Sequence, residues 1–111
     1  MSEITQFTVE FFKVLADQTR LQILDFLKDR EITQKDIEEA LGISQSTISQ
    51  HLKTLITSNL INFERKDNKN FYRIKNREFF NLINDIRYFV VKLNKEKQSG
   101  LESLDILDTL F

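Results

Sequence analysis

The amino-acid sequence predicts a mainly α-helical fold carrying one small β-hairpin, and three observations predict it. Apolar residues recur at three- and four-residue steps through most of the chain, which is the helical period. Between about residues 60 and 75 that period drops to two, the signature of strands. Asp17, Thr33, Ser44 and Asn76, side chains suited to capping, stand directly before the periodic stretches, and Gly42 follows one of them.

Taken in order, Ile4, Phe7, Phe11, Phe12, Val14 and Leu15 give a first helix over about residues 4–16, with a broad apolar face. Asp17 caps a second, in which Leu21, Ile23, Leu24, Phe26 and Leu27 are expected to face a core. Glu31 and Ile32 form a short extended link. Thr33 then caps a third helix with Ile37, Ala40 and Leu41 inward, and Gly42 sits where a left-handed residue is wanted at its end. Ile43 follows the turn, and Ser44 caps a fourth helix. Two short helices joined by a short Gly-containing turn have the layout of a helix-turn-helix.

The fourth helix is the most telling segment. Ile48, Leu52, Leu55 and Ile56 recur at i, i+4, i+7 and i+8 and form one apolar stripe. The other face carries Gln45, Ser46, Thr47, Ser49, Gln50 and Lys53, whereas an ordinary solvated face is dense in Glu and Lys. Amides and hydroxyls both donate and accept hydrogen bonds. They suit the donor and acceptor pattern of base edges in a major groove.

Residues 60–65 and 70–75 then read as two strands, with Ile61 and Phe63 alternating in the first and Tyr72 and Ile74 in the second. The polar turn between them, residues 66–69, makes the pair a hairpin. A basic hairpin directly after a helix-turn-helix is a wing, placed to meet phosphate or a minor groove. Asn76 caps a long last helix over about residues 77–97. Its stripe of Phe79, Leu82, Ile83, Ile86, Phe89, Val90 and Leu93 is long for an appendage on a small domain. Ser99 and Gly100 are expected to interrupt it. Leu101, Leu104, Leu107, Leu110 and Phe111 then suggest a short amphipathic tail, which either packs back on the same layer or serves as a docking peptide. This gives five to six helices, with a main domain over 1–98 and a tail over 99–111.

A chain of 111 residues is long enough for one domain with a core, and small enough to gain from dimerisation. Cysteine is absent, which excludes disulfides, thiol redox sensing and thiolate metal sites. A single His excludes a multi-histidine zinc site within one chain. No apolar run is long enough to span a bilayer, and the first residues have neither a basic nor an apolar leader pattern, so a cytoplasmic protein without a membrane partner is expected. A Gly-rich phosphate loop, a nucleophile–base constellation and a metal set are all missing, so an enzyme is not expected. The overall charge of −1 hides an uneven distribution. Residues 44–77 hold seven Lys/Arg against two acids, net +5, while residues 1–43 are net −4 and residues 78–111 net −2. Phosphate contacts need local positive charge, so a basic middle between acidic ends is an electrostatic footprint for nucleic acid.

Residues 12–24 (FKVLADQTRLQIL) and 37–55 (IEEALGISQSTISQHLKTL), with a basic hairpin ending in Phe71, Tyr72, Arg73 and Ile74, resemble the ArsR/SmtB family of winged-helix repressors. The resemblance covers about residues 7–77 closely and the flanking helices by layout. It implies a winged helix-turn-helix that pairs as a homodimer through its first and last helices and binds palindromic operators. Gln18 stands where the family often has Pro. Many members carry a Cys-x-Cys metal box on the third helix, where this chain has only Thr33, Gln34, Lys35, Asp36 and Ile37. Others bind zinc on the last helix through Asp-x-His and His-x-x-Glu, but here Asp85 is followed by Arg87 and the helix has no His. Metal sensing is therefore not supported, no cofactor is expected, and any effector is unassigned.

The candidate DNA-binding residues are Ser44, Gln45, Ser46, Thr47, Ser49, Gln50, His51, Lys53, Arg65, Lys66, Lys69 and Arg73. Gln45 and Thr47 lie early in the helix, where base edges are approached, and Lys53 suits a phosphate. His51 adjoins the apolar stripe and either packs at the core edge or donates to a phosphate. Arg20 either holds a backbone phosphate or pairs at the surface. The candidate dimer interface is Phe7, Phe11, Phe79, Leu82, Ile83, Ile86, Phe89, Val90 and Leu93, because one such domain offers few internal partners for them. The expected function is sequence-specific transcriptional regulation on double-stranded DNA, as a repressor. The alternative is a winged helix used for protein contacts within the transcription machinery.

Overall fold

The structure, a computed structural model, describes residues 2–110, with side chains through residue 100. Five helices and three short strands follow in the order α1 (Glu3–Leu15), α2 (Gln18–Phe26), β1 (Ile32–Thr33), α3 (Gln34–Leu41), α4 (Gln45–Thr57), β2 (Ile61–Lys66), β3 (Lys69–Ile74) and α5 (Arg77–Leu110). The chain forms two compact units, Met1–Phe79 and Phe80–Phe111. No helix among the described residues is long and apolar enough to cross a membrane.

Each helix of the first unit begins where capping chemistry places it. The Ser2, Asp17, Thr33 and Ser44 side chains each accept from the backbone N–H three residues on, relieving a donor that the first helical turn leaves unpaired. Asn76 does the same at the start of α5, accepting from the Phe79 N–H at 2.8 Å. Gly42, at φ 65°, ends α3, and its N–H donates to the Glu38 carbonyl. The stop of α4 is less visible in sequence. Asn59 adopts φ 62°, its N–H donates to the Ile56 carbonyl, and the Leu60 N–H reaches back to Leu55. This paired arrangement closes the last turn and delivers the chain into β2.

The core of this unit is aliphatic. Ile23, Ile37, Ile48 and Leu55 have no exposed surface, and Leu24, Leu27, Leu52, Leu60, Ile61 and Tyr72 close around them. Phe26, expected inward, is half-buried under the Arg30 guanidinium, 4.3 Å from its ring centroid. Ala40 is exposed, a correction to the expected inward face of α3, which the structure narrows to Ile37 with Leu41 half-buried. An alanine shortens the stripe by too little to demand burial.

The sheet has the order β1-β3-β2 and is antiparallel throughout. The expected hairpin is present, but the link at Glu31 and Ile32 is partly a third strand: Ile32 pairs with Tyr72 and Thr33 with Phe71. Two residues are too few for alternation to be read in sequence. The hairpin turn is also tighter than expected. Lys66 pairs with Lys69, leaving Asp67 and Asn68 as a two-residue turn at φ 52° and 62°. Positive φ at both central positions matches the right-handed twist of the strands, and Asp and Asn tolerate it.

The expected break at Ser99 and Gly100 is absent, and α5 runs on as one helix to Leu110. One glycine costs a helix about 1 kcal/mol relative to Ala. That is too little to end a helix flanked by Lys, Glu, Gln and Leu. The apolar tail positions at 101–111 have side chains outside the described residues.

Candidate nucleic-acid interface

Helix α4 presents two unlike faces. Ile48, Leu52 and Leu55 are buried, while Gln45, Ser46, Ser49, Gln50 and Lys53 are exposed. At 100° per residue the exposed five fall within an arc of about 140°. That is the width of one accessible helix side. Thr47 lies at its margin, half-buried, and accepts at Oγ1 from the Ser44 hydroxyl at 3.0 Å. The Gln34 side-chain amide donates to the Gln45 carbonyl at 3.3 Å, tying the start of α3 to the start of α4. Gln45, Ser49 and Gln50 thus have their side-chain donors and acceptors directed outward from a helix whose back is anchored in the core.

His51 lies on α4 away from that arc, with 18% of its side chain exposed. Its Nδ1 is 3.2 Å from Arg20 Nη1, and its Nε2 is 3.9 Å from Asp17 Oδ1. Of the two sequence readings for this residue, the structure favours the core edge. The Asp17 carboxyl is held below its ordinary value, first by the Arg20 backbone N–H and then, against the cost of burial, by the charges of His51 and Arg20. Arg20 is a residue whose partners sequence did not specify. Its guanidinium holds carbonyls of α1 and a ring of α4, rather than an exposed surface partner.

The wing carries all the expected cations, but not all as free charges. Lys66 Nζ lies 3.0 Å from Glu31 and 3.6 Å from Glu64, and Arg73 Nη1 lies 3.1 Å from Glu31 and 3.9 Å from Glu64. Arg73 Nε also donates to Asn62 at 3.0 Å. The pairing pulls the Glu31 carboxyl below and the Lys66 ammonium above their usual values, chiefly through the hydrogen bond they share. Arg65 donates to the neutral Asn70 side chain at 3.3 Å. The role of Glu31 as partner to two wing cations was not legible in sequence, because it depends on β1 pairing with β3.

The two candidate dimer helices differ. On α1, Ile4 and Phe7 are 71% and 61% exposed. Phe11 is half-buried, its ring centroid 6.1 Å from that of Phe79 in an edge-on contact. Phe79 itself is buried, which makes it part of the core of one chain rather than a free interface residue. Along the second unit Leu82, Ile86, Phe89, Val90 and Leu93 are exposed at three- and four-residue spacing on one side of α5, and Ile83 is buried. No group of three or more His, Asp or Glu among the described residues is placed to hold a metal ion.

Residues 17–62, from the Asp17 cap through the start of the wing, match the model of the bacterial regulatory protein, arsR family. The arsenical resistance operon repressor of Staphylococcus xylosus is 40% identical over 72 residues, which are 65% of this chain and 68% of that one. The chain belongs to the ArsR family. The transcriptional repressor SdpR of Bacillus subtilis is 36% identical over 81 residues, covering 73% of this chain and 90% of its own length. Among solved structures, the homodimeric winged helix-turn-helix DNA-binding domain of Mb0332 from Mycobacterium bovis superposes with a TM-score of 0.77. It is 25% identical and covers 86% of this chain and 93% of that one. As an ArsR-family member the chain is a DNA-binding transcriptional regulator with a winged helix-turn-helix. That membership supports the DNA-binding reading and not the alternative of a protein-contact module of the transcription machinery.

Proposed function

We propose that this ArsR-family chain is a cytoplasmic repressor that binds a palindromic double-stranded operator as a homodimer. Gln45, Ser46, Ser49 and Gln50 face base edges, with Thr47 at their margin and Ser44 at the helix start. Lys53, Arg65 and Lys69 meet phosphates, and Lys66 and Arg73 join them when their carboxylate partners yield. The pairing surface comprises Phe7 and Phe11 on α1 and Leu82, Ile86, Phe89, Val90 and Leu93 on α5, with Ile83 at its edge. Two reading helices related by a twofold axis then enter successive major grooves about one turn apart.

The observation that carries this reading is the exposed arc of amides and hydroxyls on a helix whose other side buries Ile48, Leu52 and Leu55. Exposed amides contribute little to solubility that charged side chains would not supply better, yet they match base edges bidentately. The dimer reading is supported by the exposed apolar side chains of α1 and α5, and the Mycobacterium bovis domain, described as homodimeric, is similar in fold.

The test replaces Gln45 and Gln50 together by Ala. A duplex recovered by wild-type selection from a random pool is compared with a shuffled duplex by fluorescence anisotropy. Loss of bidentate contacts should reduce preference for the selected duplex by about tenfold or more, while affinity for the shuffled one changes little. Equal losses on both duplexes would refute base reading by these residues.

A further inference from the structure

Arg20 stands at a junction of three helices. Its backbone N–H donates to the Asp17 cap at 3.0 Å, which fixes the residue in the first turn of α2. Its Nε donates to the Val14 carbonyl at 2.5 Å and its Nη2 to the Lys13 carbonyl at 3.2 Å. These carbonyls lie in the last turn of α1, where intrahelical partners run out and the helix dipole favours a cation. The remaining nitrogen, Nη1, points across to His51 on α4 at 3.2 Å. A guanidinium has only donors, so the Nδ1 of His51 is the acceptor in this contact.

The aliphatic stripe of α4 sets how deeply the helix is buried, but dispersion contacts are weakly directional and permit small rotations about the helix axis. A hydrogen bond from a guanidinium clamped on α1 and α2 does not. A recognition constellation has to be held within about 10–20° of its productive orientation. Hydrogen bonds to neighbouring helices hold such an angle better than an apolar face alone, and α4 has two: the Gln34 tie to α3 and the Arg20 bond from α2.

We propose that Arg20 and His51 are positioning residues that set the azimuth of the reading helix relative to α1. This inference rests on the reading of α4 as the base-contacting element. It moves His51 from contacting DNA to orienting the residues that do. Asp17 and Arg20, both from the start of α2, face the imidazole, and α1 contributes the Lys13 and Val14 carbonyls to the junction.

The experiment compares wild type, His51→Ala, His51→Asn and Arg20→Lys as full chains, on the wild-type-selected duplex and its shuffled counterpart. Asn offers a side-chain oxygen close to the place of Nδ1 and does not titrate. His51→Ala and Arg20→Lys should lose about tenfold in preference for the selected duplex, with little change on the shuffled one. His51→Asn should keep most of the preference. Equal weakening of His51→Ala on both duplexes would overturn the proposal in favour of a phosphate contact. So would an unchanged preference in that variant. Should His51→Ala or Arg20→Lys fail to fold by circular dichroism, His51→Phe, which keeps a ring without the acceptor, is compared with His51→Asn, and equal preference in the two overturns the proposal. A wild type that prefers no duplex over another sinks the reading of α4 itself, which is a different result from a selective wild type matched by a selective His51→Ala.

Discussion

Replacing Glu31 and Glu64 by Gln should make this regulator bind DNA more tightly at low salt and more steeply with salt. The two carboxylates lie 3.0–3.9 Å from Lys66 and Arg73, so two wing cations already have intramolecular anions. A phosphate that approaches the wing competes with them. Glutamine keeps the shape and a carbonyl acceptor while removing the charge, so the hairpin should persist with two cations released per protomer. Each additional phosphate neutralised adds about 0.9 to the slope of log affinity against log salt, or up to about 1.8 for the pair in each protomer and about 3.6 for the dimer. Over a fourfold rise in salt, from about 50 to 200 mM, the dimer's slope corresponds to up to roughly 150-fold more loss than wild type shows. Anisotropy titrations of a fluorescent duplex across that range read both quantities, with circular dichroism as the check on folding. To separate released cations from a general charge effect, the same carboxylates are replaced in a Lys66→Ala, Arg73→Ala background. There the gain should vanish. A double glutamine variant with the wild-type slope, or a gain that survives loss of both cations, would refute the competition between carboxylate and phosphate.

Other outcomes follow from single features. Ile86 is 38% exposed in the middle of the apolar side of α5, and Ile86→Asp should yield monomers in sedimentation velocity; a persistent dimer would relocate the interface. Gly42→Ala meets no atom within 4 Å of its new Cβ, so its cost is the left-handed backbone alone, about 1 kcal/mol in urea unfolding. A much larger loss would point to packing that the structure does not contain. Asp17→Ala removes a cap worth about 1 kcal/mol. Because the native carboxyl is held below its ordinary value of 3.8, its contribution is whole above that value and lost as pH falls through the lower native one. Stability measured from neutral pH into that acid range should therefore fall less steeply in the variant than in wild type.

The sequence made legible whatever is local. Caps at Asp17, Thr33, Ser44 and Asn76 need only the next turn, and the stripe of Ile48, Leu52 and Leu55 is set by helical period, so the reading head and its neighbours were placed closely. Three features escaped because they depend on partners distant in the chain. The pairing of Ile32 with Tyr72 spans the whole helix-turn-helix. The same fold-back brings Glu31 to Lys66 and Arg73, which turned expected free cations into paired ones. Arg20 meets His51 across 31 positions, and neither residue type announces the other. Phe79 illustrates the opposite error. Its place in the long apolar stripe suggested an outer face, whereas proximity to Phe11 buries it within the chain.

The order of the three strands also bears on how such a regulator can be altered. β3 is central, but β1 pairs with it only at Phe71 and Tyr72, in the middle of the hairpin. Toward the tip, where Arg65 faces Asn70 and Lys66 faces Lys69, two strands stand alone. Lengthening both by two residues should carry the turn about 7 Å further out, leaving the pairing with β1 and the seat of α4 undisturbed. The wing's reach is thus separable from the rest of the domain, and the footprint on DNA can change length by insertion while the reading helix keeps its address.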